Sequence, residues 1–325
     1  MVLGFNSKKT CPIGVDMGSG YLRMVQIGRN GNGLYLHSAT LRAVPADIEF
    51  RSPAWQHWAV DTVRSLMREG QFKGKEVITA LPTDDLFIDP VKVPRTTVDR
   101  LDEVIPPKLQ KRLPFPVNDA LFQYIVAEPT ERAPSDSADI LTIAVNREAV
   151  NRHLAIYEAA GLEVSKIGIW PTAMITSFSK FFCRRSNEQN VIALLLTVGT
   201  SHSNVVITRG ANLLFARAIS IGYAQLEQTQ MLQRLLSELD ACVRYFEESF
   251  SGARIERLVF LAGSGASRTL CDRFAELARR MQIPAQVGDV TSAIEINQTP
   301  QCLIDRRNSR VDWATAFGLS LEGLS

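Results

Sequence analysis

The chain has 325 residues, 46% hydrophobic and 22% charged, with 36 basic against 34 acidic side chains. That length exceeds one ordinary domain, and that composition excludes wholesale disorder. A net charge of +2 offers no field for a polyanion, so nucleic acid is excluded as a main partner.

The five cysteines, Cys11, Cys183, Cys242, Cys271 and Cys302, are scattered and lack CxxC spacing. They suit neither a disulfide framework nor a zinc site, and read as free thiols in a reducing compartment. The longest apolar candidate, residues 191–198, is a buried-strand length, far short of the ~20 residues that span a bilayer. Residues 1–9 carry two lysines with no apolar run behind them, so no signal peptide is expected. Residues 318–325 are too short and weakly charged for an amphipathic anchor.

In chain order, residues 13–27 are two apolar runs around Gly18-Ser19-Gly20, a hairpin signal. A turn at residues 30–33 leads to a third strand over 34–44. Trp55, Trp58, Ala59, Val63, Leu66 and Met67 recur at helical spacing behind Ser52-Pro53. Residues 76–81 form a short strand stopped by Pro82. From 86 to 164 the order is strand, helix, strand, strand, helix, strand, that of a small ferredoxin-like module. Its second helix ends at Gly161, and residues 131–139 are its most loop-like stretch. Pro106-Pro107 predicts a break in its first helix. Pro171 opens another helix, with Phe178 and Phe181 at core spacing, and residues 184–190 read as a hinge. Strands follow over 191–198, 203–208 and 213–221. Beyond them come a long helix through Leu232, Leu235, Leu239, Val243 and Phe246, a strand at 257–261, and a helix carrying Leu270, Phe274 and Leu277. A short apolar helix over 312–321 is placed to dock on an earlier lobe.

The halves begin alike. Asp16-Met17-Gly18-Ser19-Gly20 opens one and Thr197-Val198-Gly199-Thr200-Ser201 the other, each a strand running into a small glycine turn. Two such hairpins facing across a cleft would aim amides and hydroxyls at one anion. A third turn, Gly263-Ser264-Gly265, lies between a strand and a helix, where a nucleoside can approach closely. Taken singly, each turn is no more than a β-turn.

With Gly14-Val15-Asp16-Met17-Gly18-Ser19-Gly20, Arg112-Leu113-Pro114-Phe115-Pro116-Val117, Ala159-Ala160-Gly161-Leu162-Glu163-Val164, Arg217-Ala218-Ile219-Ser220-Ile221-Gly222 and the closing helix at 314–321, the chain resembles the type IV pilus assembly protein PilM family. That family is related to the cell-division protein FtsA, within the actin, sugar kinase and Hsp70 superfamily. The resemblance implies an α/β fold of two duplicated, actin-like (ribonuclease H-like) lobes with an inserted ferredoxin-like βαββαβ module. Residues 1–85, 163–189 and 312–325 would form the first lobe, 86–162 the module, and 190–311 a second lobe reduced on its nucleotide side.

By the same resemblance, Asp16, Gly18, Ser19, Gly20, Arg23, Gly199, Thr200, Ser201, Gly263, Ser264 and Gly265 line an ATP cleft, Asp16 holding Mg²⁺ through water. The competing readings are an Asp bonding its own turn and an Arg23 on a solvated strand face. The family has an Asp where Thr197 stands and usually inserts a helical pair after Gly222; here residues 223–230 run straight into the long helix. Both departures imply weak or absent hydrolysis and no catalytic residue. The family binds the cytoplasmic tail of PilN, a single-pass inner-membrane protein. The resemblance therefore implies a cytoplasmic scaffold held at the inner membrane by that partner, beside Leu113, Phe115 and Val117, with no insertion of its own and self-association left open. Phe115 reads equally as a lid on the module's core. The alternative function is an active ATPase or kinase, which needs carboxylates for Mg²⁺. His37, His57, His153 and His202 share no ligand spacing; Asp84-Asp85 reads as a turn; Ser264 lies outside any GxSxG pattern.

Overall fold

A computed structural model describes residues 9–31, 33–127, 136–183, 188, 190–250, 252–296 and 311–323. The first glycine turn joins β2 (Ile13–Met17) to β3 (Tyr21–Asn30), and β4 (Gly33–Ala43) returns antiparallel to β3; a two-residue β1 (Lys9–Thr10) pairs with β3. Helix α1 (Pro53–Glu69) starts where Ser52 accepts a bond from the Trp55 amide and proline takes the first turn, the preferred chemistry for a helix start. Strand β5 (Glu76–Ala80) then pairs parallel to β2.

The chain next builds a separate three-stranded sheet. Its strands are β6 (Leu86–Pro94), β7 (Ala120–Ala127) and β8 (Ser137–Asn146), in the order β6-β8-β7, all antiparallel. Helix α2 (Leu101–Leu109) closes one face, with Ile105 and Leu109 buried against Val91, Val93 and Ile140. The remaining elements of the expected βαββαβ unit lie elsewhere. Helix α3 (Arg147–Ala160) packs Ile156 and Tyr157 into the core beneath α1, and β9 (Glu163–Gly168) pairs parallel to β5 in the first large sheet. The module is therefore βαββ. Strand β9 extends a sheet already twinned with α1 and α3, and the local element order does not carry that information. A second correction concerns Pro106 and Pro107, which sit inside α2 without breaking it. The helix is only nine residues long and continues a 3₁₀ turn over Arg95–Arg100. We ascribe its persistence to the burial of Ile105 and Leu109 outweighing two missing amide donors.

Helix α4 (Trp170–Phe182) leads to the second half: β10 (Ile192–Val198), β11 (Ser203–Arg209), β12 (Asn212–Ile219), α5 (Thr229–Ser249), β13 (Arg257–Leu261), α6 (Arg268–Arg280) and β14 (Ala285–Gly288). The two large sheets share one topology. The path β4-β3-β2-β5-β9 matches β12-β11-β10-β13-β14, with two antiparallel pairs followed by two parallel ones. The repeat read from the glycine turns is a duplication of the whole sheet. A short β15 (Glu295–Ile296) adds to β4, and the chain closes in α7 (Ala314–Glu322).

Helices α4 and α7 lie between the two large sheets. Met174, Phe178 and Phe317 share one buried cluster with Val25 of β3, Leu195 of β10 and Val259 of β13. A Cβ on Gly318 would overlap the backbone of Ala173, so glycine is what lets the two helices cross so closely. The expected loop at 131–139 and hinge at 184–190 lie largely outside the described residues, although β8 already begins at Ser137. Cys11, Cys183 and Cys242 are buried and Cys271 is half-buried, none of the four in a disulfide; Cys302 lies outside the described residues. No described helix is long and apolar enough to cross a membrane.

Candidate functional site

Both glycine turns are built by the same bond. The Gly18 amide donates to the Tyr21 carbonyl at 3.0 Å, and the Gly199 amide to the His202 carbonyl at 2.7 Å. The tips touch: Ser19 Oγ and Ser201 Oγ lie 2.6 Å apart. A Cβ on Gly20 would overlap the Thr200 side chain, so glycine is required there by close approach rather than by backbone conformation.

Below the tips, Asp16 on β2 faces Arg23 on β3, and Arg23 Nη1 donates to Asp16 Oδ2 at 2.6 Å. Both side chains are mostly buried, at 14% and 20% exposure. In the second hairpin the corresponding pair is Thr197 facing Asn204, so neither charge is repeated. Asp312, just before α7, takes the Ala314 amide on Oδ1 at 2.8 Å. Burial pushes its carboxyl up to about 7, against the opposing pull of that amide and of Arg23.

Two adjoining chambers result. The one at the hairpin tips holds about 80 Å³ and is lined by both turns with Asp16, Arg23, Thr197 and Asp312. The other holds about 830 Å³, within the range of small-molecule clefts. It is lined by Tyr21, Arg23, Thr200, Gly265, Ser267 and Arg268, by the carboxylates Glu227 and Asp312, and by the apolar Leu226, Leu232 and Leu270. Of the third glycine turn, Gly265 lines this chamber while Gly263 and Ser264 line neither.

Sequence reasoning passed over two residues beside the tips. Ser201 Oγ is 3.0 Å from His202 Nδ1, and His202 Nε2 lies 3.4 Å from Asp84 Oδ1. Asp84 sits in the 3₁₀ turn Thr83–Asp85 at the root of the three-stranded module, and Asn204 Nδ2 reaches Thr83 Oγ1 at 3.5 Å. His202 therefore ties the second hairpin to that root. The signal was its place directly after Gly199-Thr200-Ser201; nothing local marked Asp84.

A divalent metal fits these residues poorly. The one carboxylate in the first hairpin already holds a guanidinium, and the matching position in the second is a hydroxyl. Among the described residues no group of three or more His, Cys, Asp or Glu side chains is placed to hold a metal. A nucleoside-sized group fits the larger chamber.

The candidate docking segment lies on the module. Leu113 is half-buried against the module's core. Phe115 and Val117 are also half-buried, yet belong to none of the core clusters among the described residues. Arg112, next to them, pairs with Asp89 on β6.

Twinned sheets joined by a sandwiched helix pair, with paired hairpins meeting over a cleft, define an actin-like two-lobe protein. The family model described as type IV pilus assembly protein PilM matches residues 14–235. The chain belongs to that family. None of the curated proteins matches its sequence. Among solved structures it is similar to a PilM–PilN type IV pilus biogenesis complex, with a TM-score of 0.75 at 18% identity over 97% of this chain and 98% of that one. It is also similar to the cytoplasmic domain of EpsL, an inner membrane component of the type II secretion system of Vibrio cholerae, with a TM-score of 0.50 at 12% identity over 97% and 94%. At these identities the likeness speaks for the fold.

Proposed function

We propose that the protein is an assembly scaffold of type IV pilus machinery that captures the cytoplasmic tail of a PilN-like inner-membrane protein, and that its cleft is a degenerate nucleotide site. Family membership supports the assembly role, and the similar solved structure is that of a PilM–PilN complex. The single observation that carries the docking site is Phe115, a large apolar side chain that is only partly buried and lies outside the module's core cluster. Pro114 and Pro116 stiffen the backbone on either side, which lowers the ordering cost of capturing a peptide. Residues 86–146 would be the partner-facing module, and the protein would work in the cytoplasm, at the membrane, through its partner. Phosphoryl transfer is disfavoured by Thr197 and by the pairing of Asp16 with Arg23.

The test is a titration of a labelled N-terminal PilN peptide against wild type and Phe115→Ala. Affinity should fall by at least about tenfold, a loss of ~1.4 kcal/mol. Equal affinity in a folded variant rejects this docking site.

A further inference from the structure

Arg23 stands where an actin-like cleft would otherwise need a bound cation. It sits opposite Asp16 in the strand register, donates to it at 2.6 Å, and lines both chambers. Its guanidinium also stacks 5.5 Å from the centre of the Tyr21 ring. A divalent ion seated on Asp16 would have to displace a charge-assisted bond between two mostly buried groups. Breaking such a pair leaves one charge uncompensated. Thr197 occupies the equivalent place in the repeat, and the other carboxylates lining the tip chamber, Asp84 and Asp312, already face His202 at 3.4 Å and the Ala314 amide at 2.8 Å.

The same guanidinium has capacity left over. Its Nε is buried and finds no acceptor among the described residues, and an unmet buried donor is costly unless something accepts from it. Arg268 and the start of α6 also line the larger chamber, and Ser267 makes no side-chain capping bond there. The first amides of that 13-residue helix therefore add positive potential on the same side. Glu227 and Asp312 also line the chamber, so its anion-binding side is the part around the two arginines and the helix start, and its apolar walls suit a flat, partly apolar body.

We propose that Arg23 is the resident cation of this cleft, and that the larger chamber takes a nucleotide through its guanidinium without a divalent metal. The proposal rests on reading the cleft as a degenerate nucleotide site. The closed hairpin tips leave only about 80 Å³ beyond Arg23, so the phosphate tail ends at that side chain rather than between the turns.

The experiment titrates the full chain with ADP by calorimetry, once with EDTA and once with excess Mg²⁺, and follows melting in parallel. The variants are Arg23→Lys, Arg23→Gln, and Asp16→Asn with Arg23→Gln, the last leaving no orphaned carboxylate if Arg23→Gln alone misfolds. Wild type should bind with affinities within about threefold in the two buffers. The folded double variant should lose at least tenfold, and Arg23→Lys should keep part of the affinity. Binding that tightens more than tenfold on adding Mg²⁺, without ATP turnover, overturns the proposal and leaves the degenerate cleft standing. Robust Mg²⁺-dependent ATP turnover overturns both. ADP binding that ignores the double variant, or no ADP binding in either buffer, overturns the proposal and leaves the scaffold reading intact.

Discussion

Ser19 and Ser201, 182 residues apart in the chain, meet hydroxyl to hydroxyl at 2.6 Å. This contact holds the two glycine hairpins tip to tip, and with the Gly20–Thr200 fit it joins the lobes directly at the mouth of the cleft. The touching tips leave a chamber of only about 80 Å³ lined by the two turns.

The tip contact predicts a steric lock. Gly20→Ala should lower stability by roughly 1–3 kcal/mol, the usual cost of overpacking, because its Cβ collides with Thr200. Adding Thr200→Gly removes the colliding atoms and should restore most of the loss. Urea melts of the two single variants and the double give the coupling directly. Strict additivity would mean that the tips do not touch in solution.

The second hairpin should respond to a restored carboxylate. Thr197 is 4% exposed, so Thr197→Asp buries a charge without a partner and should lower the melting temperature. Millimolar Mg²⁺ should recover part of that loss in the variant and leave wild type unmoved. A wild type that Mg²⁺ stabilises equally would show a working metal site.

Leu113 and Phe115 should separate packing from binding. Leu113→Ala removes a side chain that touches the module's core and should cost roughly 1–3 kcal/mol, below a fully buried leucine. Phe115→Ala should move the melting temperature by less than about 1 °C, under ~1 kcal/mol for a chain of this size. Thermal melts of the pair decide between a lid on the core and a side chain held out for a partner.

His153 should give the fold an acid sensitivity. It is buried, hydrogen-bonds Thr79 Oγ1 through Nε2 at 3.0 Å, and burial pushes its imidazole down to about 4. The unfolded chain titrates at the ordinary histidine value of 6.5. Stability from the neutral ring is thus complete above pH 6.5 and lost as pH falls from there towards 4, by up to ~3 kcal/mol. Asp312, raised to about 7, works in the opposite sense between 3.8 and 7. The check is therefore the difference between wild type and His153→Gln in urea melts at pH 7 and pH 4.5. The gap in stability should narrow at the lower pH, and a constant gap would reject the assignment.

The sequence by itself determined the elements and their duplication. Period-2 runs around glycine turns marked β2, β3, β10 and β11. Ser52-Pro53 marked the start of α1 and Gly161 the end of α3, because turn and cap chemistry is local. Family membership was legible in the same way, since it rests on short runs such as Leu113-Pro114-Phe115-Pro116. Tertiary structure alone decided where β9 and α3 belong. Strand partners are chosen by burial against α1 and β5, which lie about ninety residues or more upstream of β9, and local order is silent on that choice. It also decided the state of the cleft. Asp16 and Arg23 were both visible as candidates, but whether Asp16 faces a metal or a guanidinium depends on strand register. His202 and Asp84 meet only because two lobes and the root of the module converge on one point.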